Sequence, residues 1–301
     1  MFRRARIAFA ILLSALVTAP LVADDFLPEL EAWRAKRVER LTAPDSWLSL
    51  VGLHWLQPGM NSVGTDAENS VQLTAGPAYF GTVELQDDGT VLFIAAPASL
   101  ANVANGQVRN PQTGATALNY REGRPSLVSA QSVSFFVIQR GDKLGLRVRD
   151  TESERRTNFA GIDYFAADPS WRIEAEWIAF PTPREIPITN VLGQTSLSKA
   201  PGKAVFTRDG QTFELIPVAE KPEDELFFII SDATSGDETY GAARFVYAAR
   251  PQNGKVILDF NRALNPPCAF TPFATCPLPP KENRLPIRVP AGEKNYRGQH
   301  D

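Results

Sequence analysis

Eight prolines fall between Asn261 and Pro290, and no other stretch of this 301-residue chain constrains its fold as tightly. They are Pro266, Pro267, Pro272, Pro277, Pro279, Pro280, Pro286 and Pro290. Each fixes φ and removes a backbone donor, so the segment is neither a helix nor an internal strand. Ala269, Phe270, Phe273 and Leu278 are interleaved with them, and Phe260 stands just before. That mixture predicts an ordered loop held against the body of the protein, because a solvated tail has no use for such side chains.

The body reads as β. Short apolar or alternating runs are separated by turn residues. They include Trp47 to Trp55, Gly81 to Leu85, Val91 to Ile94, Ser132 to Gln139, Leu144 to Val148, Trp171 to Phe180, Ala204 to Arg208, Thr212 to Ile216, Leu226 to Ile230, Ala242 to Ala248 and Val256 to Phe260. Turns are expected at Asp87-Asp88-Gly89, Gly141-Asp142, Asp209-Gly210 and Asn253-Gly254, the last joining the final two strands. One helix is expected, Asp25 to Thr42. Leu27, Leu30, Trp33, Val38 and Leu41 lie on its buried face, toward a sheet, and Arg34, Lys36, Arg37 and Arg40 on the other. The predicted fold class is therefore mainly β: sandwich or barrel-like sheets, one N-terminal helix and the long ordered C-terminal loop. The predicted divisions are a signal peptide at 1–23, a helix plus sandwich-like part at 24–155, and a C-terminal β part with the Pro/Cys loop at 156–301. A second boundary signal lies near Pro181 to Pro187.

The first residues read as a removable export signal. Arg3, Arg4 and Arg6 precede the apolar run Ile7 to Val17, and Leu21-Val22-Ala23 meets Asp24-Asp25. The run is short for a spanning helix, which needs about 20 residues. Cleavage after Ala23 leaves 28 basic against 34 acidic side chains, a net charge of −6. With no basic run, such a chain is a poor partner for nucleic acid. No later segment is apolar enough to span a membrane, and the expected location is periplasmic or secreted. Two cysteines and two histidines exclude a metal centre rich in either.

Several segments resemble a known family. They are Trp47-Leu48-Ser49-Leu50-Val51-Gly52-Leu53-His54-Trp55-Leu56, Asp259-Phe260-Asn261-Arg262-Ala263, Asn265-Pro266-Pro267-Cys268-Ala269-Phe270, Cys276-Pro277-Leu278-Pro279-Pro280, Asn283-Arg284-Leu285 and Ala291-Gly292-Glu293. Together they are similar to the bacterial and fungal family catalogued as domain of unknown function 1684, over nearly all of the mature chain. The resemblance implies membership and no reaction. Between Leu56 and Val108 the order Gly59, Asn61, Val63-Gly64, Asp66, Asn69, Val71, Leu73 resembles the start of a forkhead-associated β-sandwich. That family binds phosphothreonine through an Arg after the glycine and a Ser-x-x-His. Thr65 stands in place of the Arg, and Ala75-Gly76-Pro77-Ala78-Tyr79 supplies neither Ser nor His. The resemblance implies a sandwich shape without the phosphopeptide function.

The candidate site residues gather at the loop and its roots. Cys268 and Cys276 are expected to form a disulfide in an oxidising compartment, worth about 2.6 kcal/mol on the chain-entropy formula. The rival reading makes one of them a nucleophile with His54 as its base. His54 and Asp259 are the candidate catalytic pair, since His54 is the one ordered group that titrates near neutral pH. Asp232, Tyr240, Asn261, Asn265, Asn283 and Arg284 are candidate ligand-binding residues, with Glu293 and Lys294 close by in sequence. No phosphate loop, G-x-S-x-G elbow, H-E-x-x-H pair or dinucleotide fingerprint occurs. No cofactor is implied. The leading expectation is a periplasmic β protein that binds a small molecule or glycan under the loop, with hydrolysis as one option. The alternative is a structural or protein-interaction module of the envelope. The two part on whether His54, Asp259 and Asn261 share a pocket.

Overall fold

A computed structural model describes residues 25–298. The proposed signal and His300 lie outside the described residues. The chain opens with α1 (Phe26–Thr42), as its periodicity predicts. Eleven strands follow: β1 (Leu50–Trp55), β2 (Gly59–Gly64), β3 (Val71–Gln72), β4 (Gly81–Leu85), β5 (Val91–Ala95), β6 (Asn102–Ala104), β7 (Gln107–Asn110), β8 (Ala115–Ala117), β9 (Leu127–Ala130), β10 (Val133–Arg140) and β11 (Lys143–Asp150). They form two sheets, ordered β1-β11-β10-β9-β6 and β3-β2-β4-β5-β8-β7. Alternating side chains from both sheets meet in one core, where Phe80 and Phe93 pack edge-on to Phe135 at 5.3 and 5.7 Å. This is the sandwich that the residues from Gly59 to Leu73 imply.

A short helix, α2 (Glu154–Thr157), leads into the second half. There β12 (Arg172–Thr189) and β13 (Thr195–Arg208) form a long hairpin, flanked by β14 (Gln211–Leu215) and, on the other edge, β17 (Lys255–Asp259). β15 (Leu226–Ile230) and β16 (Arg244–Ala248) pair separately. Trp171, Phe206, Phe213, Phe228 and Phe260 fill this core.

Three expectations are corrected. Pro181 to Pro187 is no boundary, because β12 runs through it. A register break between Ala179 and Arg184 accommodates Pro181 and Pro183 where ladder donors are not required. Asn253-Gly254 does not join a hairpin, since β16 and β17 belong to different sheets. Helix α1 lies against the C-terminal loop rather than across a sheet. Leu41 packs with Leu48, Ala269, Phe270 and Tyr296, while Leu27 is exposed. Arg37, expected in solvent, is mostly buried and bonded to Glu293. Among the described residues no helix is long and apolar enough to cross a membrane.

Candidate functional site at the Pro/Cys loop

The loop begins where β17 ends. Asp259 caps the turn Phe260–Arg262 by accepting from the Asn261 N–H at 3.1 Å, and Arg262 Nε lies 3.3 Å from its other oxygen. Asn261 is fully buried. Its Oδ1 accepts from the Asp168 N–H at 3.0 Å, and its Nδ2 donates to the Asp168 carbonyl at 2.9 Å. The carboxamide thus replaces a missing strand partner. Asn283 does the same: Oδ1 accepts from the Ile216 N–H at 2.7 Å, and Nδ2 donates to the carbonyls of Ile216 and Ile229 at 2.9 and 3.0 Å. Where proline removes donors, side-chain amides supply the pairing that buried backbone requires.

The remaining candidates other than Arg284 are also tied inward. Arg244 is 0% exposed and donates to Asp232 Oδ2 at 2.5 Å and to the Ala291 and Val289 carbonyls. Asp232 Oδ1 accepts from the Thr234 N–H and hydroxyl. Asn265 donates from its N–H to Glu293 Oε2 at 2.7 Å and from Nδ2 to the Lys294 carbonyl. Glu293, 0% exposed, accepts from Arg37 Nε at 2.8 Å, which fastens α1 to the loop. Arg284 is exposed. Tyr240 donates to the Cys268 carbonyl at 3.3 Å, and burial followed by the two neighbouring sulfurs pushes its hydroxyl up to about 12.

His54 does not join this set. It pairs with Leu146 across the β1–β11 ladder, so it faces the sandwich core, and its Nε2 lies over Gly52 beside Val148. Partial burial alone lowers its pKa. The loop covers the other face of the same sheet. Among the described residues no hydrogen bond links His54 to Asp259, Asn261, Asn265 or Asn283. Strand alternation separates them.

Side chains that sequence reading passed over meet the loop instead. Arg147 and Arg149 on β11, with Arg140 on β10, share the face opposite Leu146 and Val148. Arg140 Nε donates to Thr275 Oγ1 at 2.7 Å, and Arg147 Nη2 reaches the same oxygen at 3.5 Å. Arg147 is 4% exposed, stacks over Trp47 at 5.5 Å, and its Nε has no partner. Burial, then Arg140 and Arg149, pulls its pKa down to about 10, opposed by the two sulfurs nearby. The alternation Leu146-Arg147-Val148-Arg149 was visible in the sequence, but it looks the same as a solvated strand face.

The disulfide expected from the Cys268/Cys276 pair is not formed in this structure. Both are thiols, Cys268 half-buried and Cys276 buried. Each receives the other's backbone N–H, Cys268 N to Cys276 Sγ at 3.1 Å and Cys276 N to Cys268 Sγ at 3.3 Å. The tip of the β12–β13 hairpin holds the pair from behind, through Val191 N–H to the Cys276 carbonyl and Leu278 N–H to the Thr189 carbonyl.

Two clefts open away from the loop. One, about 310 Å³, is lined by Val218, Ala219, Glu220, Asp224, Glu225, Phe227 and Tyr247. The other, about 350 Å³, lies on the sandwich between Gly89 to Val91, Asn105 to Arg109 and Ala117 to Arg121. Among the described residues no three His, Cys, Asp or Glu side chains are placed to hold a metal ion.

Comparison with known proteins gives a partial family match and no activity. No curated protein matches the chain. An uncharacterized protein of Haloarcula marismortui, solved by NMR, is 29% identical over 48% of this chain and 81% of its own, with a TM-score of 0.41. Rad53 1–466, solved in complex with AMP-PNP, is 8% identical over 73% of this chain and 50% of its own, with a TM-score of 0.14. The family model described as protein of unknown function (DUF1684) matches residues 157–294, from Thr157 at the end of α2 through Lys294. The Trp47–Leu56 segment lies outside that match. Over residues 157–294, which carry the Pro/Cys loop and its roots, the chain is similar to the DUF1684 family.

Proposed function

We propose that the mature protein is a structural or protein-interaction module of the cell envelope, exported by its N-terminal signal and held rigid by the C-terminal loop. One observation carries this reading. Four polar side chains at the roots of the loop are paired within the protein: Asn261 with Asp168, Asn283 with Ile216 and Ile229, Asp232 with Arg244, Glu293 with Arg37. Groups spent on holding backbone are not free to bind or activate a substrate. On this view the loop is a clamp. It joins α1, the hairpin tip and the outer face of the sandwich, and closing a Cys268–Cys276 bond after export would tighten it.

The test has two arms. Mass analysis of exported protein should give a chain that starts at Asp24. The purified mature chain should show no turnover of chromogenic esters, glycosides or phosphate esters, and should migrate in a larger assembly in native envelope extracts than alone. Turnover that His54→Gln or Asp259→Asn abolishes would restore the enzyme reading.

A second reading, small-molecule or glycan binding, is supported at one place. In the 310 Å³ cleft Phe227 and Tyr247 stack at 4.9 Å with their planes 13° apart, and Glu220, Asp224 and Glu225 border them. An aromatic face edged by acceptors suits the apolar face and hydroxyls of a sugar ring. Saturable oligosaccharide binding lost in Tyr247→Ala would support this reading. Binding unchanged by that substitution would remove it.

A further inference from the structure

We propose that Cys268 and Cys276 form a reversible dithiol–disulfide couple, in which Cys268 is the attacking thiolate, Cys276 the resolving thiol, and the substrate an exposed disulfide. The inference goes beyond the clamp, which needs only a static bond.

The first observation is the asymmetry of the pair. Cys268 is half-buried, whereas Cys276 is buried. The hydrogen bond from the Cys276 thiol, then the Cys276 N–H donating at 3.3 Å, then Arg147, favour the Cys268 thiolate against the opposing effect of its own burial. Giving that bond and being buried hold Cys276 protonated. The second observation is independent of the sulfurs. Arg147 is 96% buried, its Nε is unpartnered, and among the described residues Thr275 is its one side-chain hydrogen bond, at 3.5 Å. A buried guanidinium without a carboxylate is unfavourable unless another anion faces it. The groups that raise its pKa are Cys276 and Cys268. A thiolate at Cys268 completes the site electrostatically. A permanent disulfide leaves the cation without a counter-charge.

The chemistry balances in two steps. Cys268 Sγ⁻ attacks one sulfur of R–S–S–R′. The new Cys268–S–S–R bond forms, the old S–S bond breaks, and R′–S⁻ leaves. Cys276 gives its proton to R′–S⁻ and attacks Cys268 Sγ, so that the Cys268–Cys276 bond forms and R–S⁻ departs. The substrate disulfide gains two electrons and the protein dithiol loses them. A dithiol reductant returns the protein to the starting state.

The experiment uses the reduced mature chain and glutathione disulfide as probe, with adducts mapped by mass spectrometry. Wild type should end as the internal disulfide with no glutathione retained. Cys276→Ser should trap glutathione on Cys268. Cys268→Ser should react at least about tenfold more slowly, because the remaining thiol is buried and protonated. Arg147→Met should slow exchange about tenfold at neutral pH, with the difference vanishing where a free thiol ionises unaided, above about pH 8.5. Arg147→Lys should recover part of the rate. If Arg147→Met does not fold, the trapping pair still decides. Failure of both cysteines to exchange in folded protein, faster reaction of Cys268→Ser than of Cys276→Ser, or an internal disulfide that dithiothreitol does not reduce without denaturant would overturn the couple. Each of those outcomes leaves a static clamp, so the proposed module would survive the loss.

Discussion

Two buried arginines divide this molecule by purpose. Arg244 sits in the part of the chain that the family model matches, wholly buried, with Asp232 and the carbonyls of Ala291 and Val289 around it. Arg147 sits on the sandwich, nearly as buried, with an aromatic ring on one side and a distant hydroxyl on the other. Arg244 is the centre of a brace in which a carboxylate and two carbonyls face its terminal nitrogens, although its Nε, like that of Arg147, has no partner. Arg147 is a cation whose partner has to come from elsewhere, and the loop that carries the two sulfurs reaches it through Thr275. Burial alone therefore does not identify a structural residue, and the carboxylate counter-charge beside Arg244 separates the two cases.

Substitution should break that comparison most visibly at the brace. Asp232→Ala leaves Arg244 charged and uncompensated in the core, and should cost about 3–5 kcal/mol. Urea unfolding of the mature chain measures it. A loss below about 1 kcal/mol would mean that the two carbonyls suffice, and Arg244 would then resemble Arg147. Asn283→Ala comes next. It orphans the Ile216 N–H and two carbonyls at once, and about 2 kcal/mol should be lost in the same measurement. Arg147→Met should behave differently. It removes a desolvated charge without stranding a carboxylate, so stability should stay within about 1 kcal/mol of wild type or rise. A large loss there would show that Arg147 is a brace after all, and would weaken its link to the thiols.

How much of this was legible beforehand follows the same division. Period-two runs revealed the strands, and the hairpin β10–β11 closes at the expected Gly141-Asp142. The proline segment forms no strand, and Phe270 inside it is fully buried. Asn261, Asn265 and Asn283 were recognisable as polar groups in an apolar loop, but residue type does not distinguish an amide that binds a ligand from one that replaces a strand partner. That depends on which backbone lies within 3 Å, and Asp168 and Ile216 are 93 and 67 residues away in sequence. The guanidinium face was illegible for a related reason. Alternating Arg147 and Arg149 look solvated until a loop more than 120 residues further on is laid over them. Alternation did place His54 opposite Leu53, yet which face the loop would cover was a tertiary matter.

The smallest expected effect tests that placement of His54. It faces the core side of β1 over Gly52, and partial burial lowers its pKa with no charged neighbour involved. The unfolded chain takes up a proton near pH 6.5, while the folded chain resists until a lower pH. The contribution to stability is therefore complete above about pH 6.5 and is lost as pH falls from there to the folded pKa, below which the slope disappears. Because the ring is only half-buried, solvent screens the effect and it should be slight. His54→Gln should flatten this part of the stability curve between neutral and mildly acid pH without altering thiol exchange. A carboxylate partner would reverse the sign, with stability rising as pH falls toward 6. That reversal, or a change in the Cys268 rate in His54→Gln, would mean that His54 reaches the loop and would put it back beside Asp259 as a base.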